Sequence, residues 1–194
     1  VVPADRAPVM ARRLLAEDMF SGWGIRTLSA SNPAYDPVSY QRGSVWPHDN
    51  GIIALGFKRY GLWQEVSRIA EGIFDVAACY QGNSLPEVFA GIDRHPGNLP
   101  VPYVEANIPQ AWASGSVFML LRAILGLEPE PAQGILIVAP ALPEWLPELT
   151  LRNFVVFDSI LDLHFRGTGP SSTVKVVRRK GEAKVEARRG DVPL

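Results

Sequence analysis

The hydrophobic pattern changes period once along the chain, near residue 128, and that switch limits the architectures open to it. Before the switch, apolar residues recur at helical spacing. Val66, Ile69, Ile73, Val76 and Ala77 share one face of a helix expected over 62–80. A helix before it starts near Asp49 or Asn50 and carries Ile52, Ile53, Leu55, Gly56 and Phe57. It stops at Gly61, suited to the left-handed position that ends helices. Asp5 reads as the cap of a first helix reaching about Ala16, with Pro8 in its first turn. Asn107 and Pro109 read as cap and first turn of a last, strongly apolar helix through Trp112, Phe118, Leu121 and Leu125 to Gly126. After the switch, 134–138, 149–156, 159–165, 173–177 and 183–187 read as strands. Leu161, Leu163 and Phe165 alternate with Asp162 and His164. The segment 179–182 reads as a hairpin tip. The expected division is a helical region over 1–127 and a β-rich subdomain over 128–194.

Composition narrows the function classes. Of the 194 residues, 47% are hydrophobic, enough for a core and too many for general disorder. The formal net charge is −1, with no basic stripe, so neither nucleic acid nor a membrane surface is an expected partner. No apolar run is long enough to span a bilayer. A cytoplasmic setting is expected. The single cysteine, Cys79, excludes an internal disulfide and reads as a small buried hydrophobe. His95 and His164 stand apart, and no metal-ligand spacing, P-loop, GxSxG or dinucleotide fingerprint occurs. Neither cofactor nor metal is expected.

Two long stretches, 20–49 and 81–105, lack either period. Loops of that length in a compact domain are usually functional. The first holds Ser21-Gly22-Trp23-Gly24-Ile25-Arg26-Thr27 and then Tyr40-Gln41-Arg42-Gly43-Ser44-Val45-Trp46-Pro47-His48-Asp49-Asn50. Aromatic planes, a guanidinium, an imidazole and carboxylate or amide groups suit a sugar: rings cover its C–H faces and polar groups hold its hydroxyls. A packed loop, with core tryptophans and Asp49 capping the next helix, is the alternative. The second stretch holds Leu85-Pro86-Glu87-Val88-Phe89-Ala90-Gly91. Glu87 among apolar neighbours is either a surface residue between turns or an acid/base group of tuned pKa. Tyr103, Asn107, Gln110 and Trp112 add polar and aromatic groups where the last helix opens, although Gln110 also fits an exposed first turn and Trp112 a core.

Four strings, SGWGIRTLS (21–29), YQRGSVWPHDN (40–50), LPEVFAG (85–91) and ANIPQAWASGSVFMLL (106–121), resemble bacterial glycogen-debranching-like proteins with an amylo-α-1,6-glucosidase barrel. The trailing APALPEWLPELTLRNF (139–154) resembles that family's exit into a small β-sheet. The resemblance covers nearly the whole chain. It implies a mainly α fold, the C-terminal helical hairpins of an (α/α)6 toroid followed by a small antiparallel β-sheet. It implies an inverting glycoside hydrolase of the glycogen-debranching type, or one acting on another α-glucoside or a mannoside. On this resemblance Glu87 is the general base. Arg42, Trp46, His48 and Asp49 form a sugar-binding wall, joined by Trp23 and Gln110. Gln41 departs from the family's aromatic or histidine. The general acid belongs to earlier hairpins; Asp36 and Asp49 stand in the wrong part of the pattern. The isolated chain is therefore expected to be inactive. The implied partner is an oligosaccharide or α-glucan. A partial ring would also expose apolar flanks and favour a homo-oligomer, or a noncatalytic self-associating sugar binder.

Overall fold

The protein, seen in a computed structural model, is described over residues 2–191. Among these residues four α-helices form: α1 (Ala7–Leu14), α2 (Pro47–Arg59), α3 (Trp63–Cys79) and α4 (Ala111–Leu125). Six strands follow α4: β1 (Leu127–Glu130), β2 (Ile135–Val138), β3 (Glu148–Val156), β4 (Ser159–Arg166), β5 (Thr173–Lys180) and β6 (Lys184–Ala187). Helix accounts for 31% and strand for 24%, so the expected mainly α class is wrong. The long loops take up chain that a helical barrel would use, and the β-rich part is larger than one small sheet. There are two sheets among the described residues. One is antiparallel, in the order β3-β4-β5, while in the other β2 pairs antiparallel with β1 and parallel with β6. The expected hairpin tip at 179–182 is therefore a crossing from one sheet to the other: β5 pairs with β4, and β6 with β2.

The chain folds as two compact units. The first comprises the chain up to Phe57 with Arg68–Leu120. Its centre is the apolar stripe of α3, where Ile69, Ile73 and Val76 are fully buried. The loops are tied by short bridges rather than a regular sheet: Arg26 to Val45, Val45 to Phe89, and Phe89 to Pro102. Gly91 is required here, because any Cβ would run into the carbonyl of Gly43. Two buried polar side chains lock these crossings. Arg26, 2% exposed, donates to the carbonyls of Gly91 (2.8 Å) and Glu17 (3.0 Å) and to Asp93. Asn50, fully buried, accepts the Ile25 N–H at 2.7 Å and donates to the carbonyl of Trp46 at 2.9 Å. Buried polar groups must find such partners, or their desolvation opposes folding.

The second unit comprises Lys58–Ser67 and the chain from Leu121 onward. Gly126, at φ +60°, ends α4 in the left-handed conformation expected of a glycine there. Leu161, Leu163 and Phe165 are fully buried, as the alternation in β4 predicts. Lys58 is 2% exposed and its Nζ donates to the carbonyls of Ala139 (2.6 Å) and Gly190 (2.8 Å). Burial lowers its pKa to about 8. Two local expectations change. Arg6, not Asp5, stands at the N-cap of α1, and its side chain makes no cap bond. Cys79 is exposed rather than buried, because it ends α3 beyond the stripe that packs.

Candidate active site

The site grows from the bridge between Val45 and Phe89, whose N–H and carbonyl groups bond reciprocally at 2.9 and 3.1 Å. That bridge aligns the run into α2 with the Leu85–Gly91 string. Two residues before Phe89, Glu87 pairs with the segment ahead of α4: its N–H donates to the Asn107 carbonyl at 3.0 Å. Three separate stretches of sequence therefore meet at one carboxylate.

Glu87 is 7% exposed, and both its oxygens are held. The Tyr40 hydroxyl donates to Oε1 at 2.7 Å. The Asn107 side-chain amide donates to Oε2 at 3.0 Å, and the Asn107 N–H reaches the same oxygen at 3.4 Å. The Tyr40 bond, with the two from Asn107 and the nearby His48, holds the carboxyl below its ordinary pKa against the opposing effect of burial. Glu87 is thus an ionised carboxylate at neutral pH, the form a proton acceptor needs. The same bond raises the pKa of the Tyr40 hydroxyl.

Rings surround it. Tyr40 meets the edge of Trp46 at 4.7 Å and lies 5.4 Å from Tyr103. His48 stands edge-on to Trp46 at 5.7 Å and stacks on Trp112 at 4.5 Å. Trp46 is 8% exposed, and its indole N–H is used internally, on Ser44 Oγ and the Tyr40 carbonyl, both at 3.1 Å. What Trp46 can offer a ligand is ring surface alone. Trp112 is half exposed. His48 Nε2 lies 3.2 Å from Asp49 Oδ1, and its buried Nδ1 has no hydrogen-bond partner among the described residues. Asp49 lies in the first turn of α2 and is exposed.

Of the residues singled out in the sequence, Glu87, Trp46, His48 and Asp49 come together here, with Tyr103, Asn107 and Trp112 from the opening of the last helix. Arg42 is exposed, with Asp36 at 3.6 Å and Ser39 Oγ at 3.3 Å as its side-chain partners. Trp23 is buried beneath the Arg94 guanidinium, 4.4 Å from its ring, beside a cleft of about 420 Å³ that His95 and Asn98 also line. Gln110 caps α4: its Oε1 accepts the Ala113 N–H at 3.0 Å. Sequence reasoning made Asn107 the cap of α4; Gln110 takes that role, which frees the Asn107 amide for Glu87. It also passed over Tyr40. The available signal was its position at the head of the YQRGSVWPHDN string, six residues before Trp46.

No group of His, Cys, Asp and Glu suited to a metal ion occurs among the described residues. No helix there is long and apolar enough to cross a membrane. Comparison with curated proteins gives no match. Residues 1–89 match the family model of the mannosylglycerate hydrolase MGH1-like glycoside hydrolase domain, a span that ends just past Glu87 and takes in the loop from Tyr40 to Asn50. That match supports a glycoside hydrolase of the six-hairpin type, and not an amylo-α-1,6-glucosidase in particular.

Proposed function

We propose that this chain carries the water-activating half of an inverting glycoside hydrolase, with Glu87 as general base. One observation carries the reading: a buried carboxylate, kept ionised by Tyr40 and Asn107, at the end of a run of rings from Tyr40 through Trp46 and His48 to Trp112. In inversion, water loses a proton to Glu87 as its oxygen bonds the anomeric carbon. The glycosidic C–O pair departs on the leaving oxygen, which takes a proton from a carboxylic acid on the other face of the sugar. The two carboxyl groups stand about 6.5–9.5 Å apart to admit the water. The acid is assigned to a barrel segment outside the site described here, so the 194 residues alone are expected to be inactive.

The substrate is an α-linked sugar. The resemblance of the four strings points to the α-1,6 branch of a glucan. The family description favours the other substrate class, a small α-mannoside such as mannosylglycerate. Trp46, His48 and Asp49, with Arg42 farther out, are the proposed sugar contacts; Trp23, buried beneath Arg94, and Gln110, whose side chain caps α4, are left out. The test is hydrolysis by the chain together with the implied barrel segment, on α-1,6-branched dextrin, other α-glucosides and α-mannosides, with the anomer of the product read by NMR. Glu87→Gln is expected to lower kcat about 10²–10⁴-fold, the usual contribution of a general base. Near-normal turnover by that variant would overturn the assignment.

A further inference from the structure

We propose that Tyr40 is the positioning residue of the base, and that its hydroxyl marks Oε1 as the Glu87 oxygen that receives the proton from water. The inference rests on Glu87 being the base and adds which atom acts and what holds it.

The argument is one of lone pairs. An ionised carboxylate oxygen offers about two acceptor positions. Oε2 has both taken, by the side-chain amide and the backbone N–H of Asn107 at 3.0 and 3.4 Å. Oε1 accepts a single described bond, from Tyr40 at 2.7 Å, and keeps one position open. A proton can join Oε1 without displacing a donor. On Oε2 it would have to expel one.

Tyr40 is itself held at both ends. Its carbonyl accepts the Ser44 hydroxyl at 2.6 Å and the Trp46 indole N–H at 3.1 Å. Its ring contacts both Trp46 and Tyr103. Tyr40 is 38% exposed, so its phenol reaches Glu87 from an anchored backbone and a ring braced against Trp46 and Tyr103, and bracing of this kind keeps a reacting group in its productive geometry. The bond also has a chemical consequence. It favours the charged carboxylate, so Tyr40 extends the range over which Glu87 can accept a proton toward lower pH, at the expense of some basicity.

The experiment is a pair of titrations on the full chain, with no substrate. Glutamate is labelled with ¹³C at the carboxyl carbon, and the Glu87 resonance is identified by its loss in Glu87→Gln. In Tyr40→Phe, which keeps the ring and its contacts with Trp46 and Tyr103, the Glu87 midpoint is expected to rise by about 1 to 2 pH units, the worth of one hydrogen bond to a charged group. Asn107→Ala is expected to move it less, because Tyr40 makes the larger contribution. The reciprocal measurement leaves Tyr40 in place. By linkage, Glu87→Gln must lower the ionisation midpoint of one tyrosine in an ultraviolet titration, and that tyrosine must be missing from Tyr40→Phe. An unchanged Glu87 midpoint in a folded Tyr40→Phe overturns the inference. If that variant does not fold, unchanged tyrosine titration in Glu87→Gln overturns it instead. Neither result touches the base assignment, which stands or falls on the turnover of Glu87→Gln.

Discussion

The loop-built unit and the sheet unit are held in different ways. In the sheet unit the core is read directly from alternation: Leu161, Leu163 and Phe165 are wholly buried, and Asp162 and His164 between them pair at the surface with Arg178 and Glu148. Such exposed pairs contribute little. In the loop unit the decisive groups are polar and buried. Arg26, Asn50 and Glu87 each join segments 20 or more residues apart, and each is satisfied by named donors or acceptors. Hydrophobic burial is non-directional and tolerates approximate shapes. Buried hydrogen bonds demand particular atoms at particular distances. A carboxylate that must be aimed is therefore better placed in the second kind of structure.

That contrast can be broken by mutation, and the largest effect belongs to the sheet. Phe165→Ala should cost about 3–5 kcal/mol through the cavity it leaves. Denaturant unfolding measures the loss, and hydrogen exchange is expected to show it in β3, β4 and β5. If the exchange loss falls instead on the loops around Glu87, the two units do not differ as described. Arg26→Met tests the other side. It keeps the length of the side chain but leaves the carbonyls of Gly91 and Glu17 without their donor, so a loss of about 3 kcal/mol is expected. Asp93 is not stranded by this change, because its side chain is more than half exposed. A loss within about 0.5 kcal/mol, typical of surface sites, would deny buried polar bonds their role here.

The sharpest case is Lys58, a buried cation inside the sheet unit. Its folded pKa of about 8 lies below the ordinary 10.5, so between those values the unfolded chain binds more protons. Stability should rise as pH increases from 8 to 10.5, by about 2 to 3 kcal/mol from this group. Below pH 8 both states are protonated, and the desolvation cost is fully present. Lys58→Met should flatten that slope in unfolding experiments run across the window. A slope that persists in the variant would assign it to other groups.

How much could be read in advance follows the same division. The bodies of α2, α3 and α4 and five of the six strands were legible, because each rests on a local period of apolar residues. β1 was not: Leu127-Glu128-Pro129-Glu130 has little strand pattern, and pairing with β2 makes it one. The parallel pairing of β6 with β2 was also hidden, since a short strand carries no mark of its partner. In the site, Glu87 was legible as a carboxylate in an apolar string, and Trp46, His48 and Asp49 as members of one sugar-suited loop. Tyr40 was not, because a tyrosine is ordinary in such a loop, and Asn107 was legible only as a polar cap at the opening of α4, not as a partner of Glu87.

By itself, then, the sequence determined the residue types available to the site and the order of the regular elements, since composition and period are local properties. Only the tertiary structure decided which residues touch the carboxylate. Tyr40 and Asn107 come from points 47 residues before and 20 residues after Glu87. The pairing is set by backbone bridges among distant loops, and no local pattern encodes the partner of a bridge.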